Sequence, residues 1–231
     1  NPRDPDAPLT QRDMDLAASV QAVTEEVMQL IVRDLRHTYG MDNLCLAGGV
    51  ALNCVANGKL LRDGAFKSIF VQPAAGDAGG ALGAALAAHA RHVGGARPQL
   101  HADQTDTLSG SYLGPSFSNN EIRGRLAGSG ARFTELDDDA LFNRTIDSLE
   151  RGDAVGWFQG RMEFGPRALG NRSILGDPRN PEMQRNLNLK IKFRESFRPF
   201  APSVLAEDVA DYFEIEEPSP YMLMVADVKR N

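Results

Sequence analysis

Two glycine-rich turns carry the first chemistry legible in this 231-residue sequence. Leu46-Ala47-Gly48-Gly49-Val50 and Ala75-Gly76-Asp77-Ala78-Gly79-Gly80 each follow a short apolar run and open into a helix-forming stretch. Glycine lets backbone approach a ligand closely, and a helix start offers unpaired N–H groups to an anion. One such turn is a weak signal, because tight helix–strand packing also selects glycine. Two in successive units point to a nucleotide or phosphate. Asp77 stands at the mouth of the second turn. A carboxylate beside a bound phosphate needs a cation between them, which makes Asp77 a candidate metal ligand. The plainer reading is an N-cap of the following helix, and the residues alone favour it.

The second concentration of chemistry is basic. Residues 151–200 hold ten Lys and Arg against five acids, a local charge of +5 in a chain whose formal net charge is −6, leaving −11 elsewhere. Eight of the ten are Arg, the planar, always-charged fork suited to phosphate and carboxylate. Arg167 and Arg172 lie in Gly160-Arg161-Met162-Glu163-Phe164-Gly165-Pro166-Arg167-Ala168-Leu169-Gly170-Asn171-Arg172-Ser173, where glycine and proline make stiff turns. Lys190, Lys192, Arg194 and Arg198 follow, with Phe193, Phe197 and Phe200 between them. Aromatic residues so placed either stack on RNA bases or anchor the loop in a core. The overall negative charge favours a small phosphorylated substrate over nucleic acid. His89 and His92, three apart at a helix end, have no acid or Cys at ligand spacing and read as a solvated terminus. There is no Ser-His-Asp signature and no Walker-type loop.

These residues need elements to hold them. Thr10 with Asp13 predicts a capped helix start, and Val20, Val23, Val27, Ile31 and Leu35 recur at helical spacing up to Gly40. Strands are predicted at Asn43–Ala47 and Ser68–Val71. Helices are predicted at Val50–Leu61, after the second glycine turn to about His92, at Asn119–Ala127, at Ala140–Arg151 and at Glu207–Phe213. A further strand is predicted at Ala154–Phe158. Strand–helix alternation indicates an α/β fold with a mostly parallel sheet. A Gly-, Pro- and Ser-rich stretch from 94 to 120 places a domain boundary near residue 105, giving domains 1–105 and 106–231. Cys45 and Cys54 are expected to be small, buried and reduced, consistent with a cytoplasmic protein. No apolar run is long enough for a membrane span. The first residue is not Met, which suggests an excised piece.

Leu44–Asn57 (LCLAGGVALNCVAN), Gln72–Ala88 (QPAAGDAGGALGAALAA), Gly156–Arg179 (GWFQGRMEFGPRALGNRSILGDPR) and Ile191–Leu205 (IKFRESFRPFAPSVL) together resemble the ATP-dependent O-carbamoyltransferases of the nodulation protein U and tobramycin carbamoyltransferase type. The resemblance implies the second lobe of an actin/sugar-kinase-like domain that binds ATP and a metal, followed by part of a YrdC-like domain that binds carbamoyl phosphate. It implies carbamoyl-adenylate made from ATP and carbamoyl transfer to a hydroxyl on a sugar, antibiotic or nodulation-factor-like acceptor. On these positions Gly48, Gly49 and Asn53 line the adenosine side, and Gly76, Asp77, Gly79 and Gly80 face the phosphates. Asp77 becomes the metal ligand, to iron or alternatively magnesium. Arg167, Arg172, Lys192, Arg194 and Arg198 hold carbamoyl phosphate.

The family's His-x-x-x-His metal motif is absent from these 231 residues. The resemblance therefore implies a chain lacking a first lobe, with lobe surface that invites a homodimer and little turnover of its own. The competing reading is an RNA- or phosphate-binding module without carbamoyl transfer. The expected partners are ATP, carbamoyl phosphate and the acceptor, with no nucleic acid and no membrane.

Overall fold

A computed structural model describes residues 3–4, 7–94, 99–100, 106–215 and 218–230. The chain forms two compact units. One is Asn1–Gly83 with Leu223–Asp227, and the other is Ala84–Met222 with Val228–Asn231. The boundary expected near residue 105 lies outside the described residues.

The first unit opens with α1 (Gln11–Tyr39), which starts and stops on local chemistry. The Thr10 hydroxyl accepts from the Asp13 N–H while the Asp13 carboxylate accepts from the Thr10 N–H at 2.8 Å. Gly40 ends the helix at φ 63°, its N–H donating to the Arg36 carbonyl at 2.9 Å. The apolar stripe faces solvent: Val20, Val23, Val27 and Ile31 are 47–67% exposed. The inward face buries Glu25 and Val32 and meets α2 (Cys54–Asp63) and its cap Asn53 through polar pairs: Lys59 on Glu25, Gln21 on Asn53 and Arg33 on Asp63. Helical spacing thus sorted the residues by face correctly, while the pairing of charges decided which face turned inward.

Strands β1 (Asn43–Leu46) and β2 (Ser68–Val71) pair in parallel, with Leu44 opposite Ile69. Alternation buries Leu44, Ile69 and Val71 and turns Cys45 and Phe70 outward. Cys45 is therefore exposed and Cys54 half-buried, contrary to the expectation that both are buried. The single helix expected over Val50–Leu61 is two: a short 3₁₀ turn at Gly49–Leu52, then α2, broken at Asn53, whose side chain caps the Ala56 N–H at 3.1 Å. After β2 comes α3 (Asp77–His92). Residues 223–227 close this unit against α2. The buried Asn57 amide donates to the Leu223 carbonyl at 2.9 Å, and the Val225 N–H donates to the Cys54 carbonyl at 3.2 Å.

In the second unit, α4 (Asn119–Gly128) carries a Ser118/Glu121 capping box, and α5 (Asp138–Glu150) is capped by Asp137. β3 (Val155–Phe158) pairs antiparallel with β4 (Arg172–Leu175), Trp157 opposite Ser173. Phe142 of α5 stacks on Trp157 with ring centres 6.5 Å apart. A short helix α6 (Met183–Asn186) widens into a π-helical turn at Leu187–Ile191, where Met183 and Leu187 are buried. Ala206–Asp208 and α7 (Val209–Tyr212) follow. No helix among the described residues is long and apolar enough to cross a membrane.

Candidate functional site

Parallel pairing brings the C-terminal ends of β1 and β2, and therefore both glycine turns, to one sheet edge, the usual ligand side of such units. The Gly48 N–H donates to the Ala75 carbonyl at 2.7 Å and locks the two turns side by side. Gly48 itself sits at φ 97°, a conformation open to glycine and strained for other residues. The glycines then divide into two kinds. A Cβ on Gly48, Gly49, Gly76 or Gly80 would meet nothing within 4 Å, so these positions border open space. A Cβ on Gly79 would collide with the Ala74 carbonyl oxygen and lie 2.8 Å from the Gln72 amide oxygen. Packing explains Gly79 and backbone conformation explains Gly48, but neither explains Gly49, Gly76 or Gly80.

Asp77 is exposed in the first turn of α3 and, among the described residues, makes no hydrogen bond or ion pair. The capping role that the residues alone favoured is not observed. Asn53 is occupied structurally: its Oδ1 accepts from Ala56 N–H and Gln21, and its Nδ2 donates to the Gln21 amide oxygen at 2.9 Å. Among the described residues no three His, Cys, Asp or Glu side chains come together. Asp77 thus offers one carboxylate rather than a ligand set.

The basic block of the second unit is built around two buried polar side chains that the sequence did not single out. The first is Glu163. Its carboxylate accepts from the Leu169 N–H at 2.6 Å, the Asn171 N–H at 2.9 Å and Arg172 Nε at 3.2 Å. Burial pushes the Glu163 carboxyl up, but the backbone N–H groups of Leu169 and Asn171 more than offset this and hold it below its ordinary range. Arg172 also donates to the Gly165 carbonyl and lies 3.5 Å from the Arg167 carbonyl oxygen. The loop is fastened from outside as well. Ser111 and Phe164 exchange hydrogen bonds at 2.7 Å, and the Tyr112 hydroxyl donates to the Leu169 carbonyl at 2.7 Å. Arg167 is half-buried in this loop, beside Arg172.

The second is Asn188, fully buried in the π-helical turn. It donates to the Ser196 and Arg198 carbonyls at 3.1 and 2.8 Å and accepts from Arg194 Nε at 2.6 Å. Gln184, one turn earlier, donates to the Phe197 and Arg198 carbonyls at 3.1 Å. Arg194 also stacks 5.0 Å over Phe200, and Arg198 pairs with Glu195 at 2.9 Å. Lys192 is exposed with no side-chain partner among the described residues. Phe193 is 84% and Phe197 66% exposed, so of the three aromatics only Phe200 is drawn in. A lone acid inside an arginine loop was a usable signal for Glu163. Nothing local marked Asn188, whose partners lie six to ten residues onward.

Open glycine turns at a strand–helix edge and braced arginine loops are both anion-binding features by their chemistry. Comparison with known sequences narrows this class. A family model described as carbamoyltransferase N-terminus matches residues 4–86, and one described as carbamoyltransferase C-terminus matches residues 146–231. The chain belongs to the carbamoyltransferase family. It is 44% identical over 227 residues to nodulation protein NolO of Bradyrhizobium diazoefficiens, covering 96% of this chain and 40% of that protein. It is 37% identical over 200 residues to nodulation protein U of Rhizobium tropici, covering 84% and 32%. It is 58% identical over 229 residues to an uncharacterized Synechocystis protein, covering 98% and 37%. The chain thus spans two fifths or less of the length of these relatives.

Proposed function

We propose that this chain takes part in ATP-dependent transfer of a carbamoyl group from carbamoyl phosphate, through carbamoyl-adenylate, to a hydroxyl of a sugar, antibiotic or nodulation-factor-like acceptor. In this reading the first unit is the second lobe of an actin/sugar-kinase-like domain, with ATP on its glycine edge. The second unit is part of a YrdC-like domain, with carbamoyl phosphate on its basic block. Pre-ordered guanidinium groups bind a phosphate with little further loss of side-chain freedom and spread the charge it carries. The carrying observation is the bracing of that block: Glu163 and Asn188, both buried, hold Arg172 and Arg194 by direct hydrogen bonds. Family membership supplies the carbamoyl chemistry. Asp77 stands without companion ligands among the described residues, so by itself it does not make a site for iron or magnesium.

Titration calorimetry with carbamoyl phosphate, using inorganic phosphate as a control, tests the assignment. Arg167→Ala is expected to weaken binding by about 1.5–3 kcal/mol, the scale of charged hydrogen bonds. That corresponds to a factor of roughly ten to more than a hundred. An unchanged affinity counts against the site.

A second reading has one specific observation in its favour. Phe193 and Phe197 stand exposed between Lys192 and Arg198, an arrangement that suits base stacking on single-stranded RNA. RNA affinity that falls steeply with salt, with no carbamoyl phosphate binding, would replace the first reading.

A further inference from the structure

We propose that Glu163 is a positioning residue for the carbamoyl phosphate site: its buried carboxylate holds Arg172 and the 163–172 backbone in the form that receives the phosphate. The inference rests on the function proposed above.

Its basis is one connected set of bonds. Glu163 gathers the Leu169 N–H, the Asn171 N–H and Arg172 Nε, and Arg172 returns to the Gly165 carbonyl. The carboxylate side chain is fully enclosed, whereas Arg172 keeps a third of its side chain exposed. An enclosed anion persists only when paired and fully hydrogen-bonded, and three donors meet that condition here. Arg172 thus connects the enclosed carboxylate to the surface. Gly165 and Gly170, at φ 135° and 108°, bend the loop tightly enough for the amides of 169 and 171 to converge on one carboxylate.

The sign of the effect separates positioning from simple electrostatics. An acid close to a phosphate site repels the ligand, so removing its charge should tighten binding. Removing a brace should weaken it, even though the variant gains a unit of positive charge. The test is calorimetry of carbamoyl phosphate and inorganic phosphate on the 231-residue chain and on Glu163→Gln, which keeps the shape and one acceptor oxygen. Amide exchange at Leu169 and Asn171 is followed in parallel, and folding is checked by circular dichroism.

Glu163→Gln is expected to bind carbamoyl phosphate at least tenfold more weakly and to exchange those two amides at least tenfold faster. Glu163→Ala, which has no acceptor, is expected to be weaker again; if it does not fold, Glu163→Gln decides alone. Binding equal to or tighter than the parent's overturns the positioning role, and unchanged exchange overturns the brace. A parent chain that binds no carbamoyl phosphate overturns the functional reading instead, while exchange still judges the brace.

Discussion

Gly79 and Gly80 are neighbours in the first turn of α3, yet their substitution by Ala should have opposite consequences. A methyl group at Gly79 overlaps the Ala74 carbonyl oxygen and lies 3.0 Å from its carbon and 2.8 Å from the Gln72 amide oxygen. That same carbonyl accepts the Gly79 N–H at 2.8 Å, so moving it away loosens the bond that closes the turn. The lost hydrogen bond costs about 1 kcal/mol and the forced repacking about 1–3. Better helix propensity returns about 1. The net expectation is destabilisation of about 1–3 kcal/mol. A methyl group at Gly80 meets nothing within 4 Å, so only the propensity gain remains, up to about 1 kcal/mol of added stability. Open space at Gly80 should matter only when a ligand fills it. Urea unfolding with a constant m-value measures the first contrast, and displacement of a fluorescent ATP analogue measures the second. Gly80→Ala should fold at least as well as the parent but bind nucleotide at least tenfold more weakly. Equal stability of the two variants would refute the steric reasoning. Undiminished nucleotide binding by Gly80→Ala would refute close approach of ATP at this edge.

Three further outcomes are expected. Gly58→Ala places a methyl against the Val225 carbonyl and 3.1 Å from its nitrogen, which also loosens the Val225 N–H bond to Cys54, so it should lower stability by about 1–3 kcal/mol despite better helix propensity, and quicken proteolysis near residues 223–227. Asn188→Ala removes two donors and one acceptor from a fully buried position and should cost about 2–4 kcal/mol, with faster exchange of the Arg194 amide, which bonds the Asn188 carbonyl at 3.0 Å. The Glu163 carboxyl lies below its ordinary value of 4.5 in the folded chain, so its contribution is present above that value and lost as pH falls through the folded one. Urea midpoints should therefore hold from neutral pH to about pH 5 and then fall, and Glu163→Gln should show less of that fall.

Much of the fold is legible where the controlling chemistry is local. Thr10 with Asp13 and Gly40 bracket α1, and Ser68–Val71 is a strand because four apolar-rich residues end at a proline-containing turn. The reading fails where the deciding partner is distant. Arg172–Leu175 is a strand only because Val155–Phe158 lies beside it, and nothing within Arg172-Ser173-Ile174-Leu175 announces that pairing. Asn53 breaks a helix that composition alone would continue, because its side chain can satisfy the Ala56 N–H and Gln21 together. The α1 stripe shows the limit of periodicity, which groups residues by face but does not say which face is covered. At the site, residue types announced the glycines and arginines. The enclosed amide and carboxylate that hold the arginines became visible only with their partners' positions.

The segment 223–227 sets an order of events. Asn57, Arg62 and Cys54 take their partners from residues made much later, with about 140 residues of other chain in between. At ribosomal speeds of roughly 5–20 residues per second, α2 waits on the order of ten seconds after its own synthesis with these groups unanswered. Its Asn57 amide and the Gly58 backbone that Val225 will cover are then exposed to whatever else the nascent chain offers. The earlier-translated of these two units is thus completed only after most of the other has been made, and a ribosome that stops at residue 222 would release it unclosed.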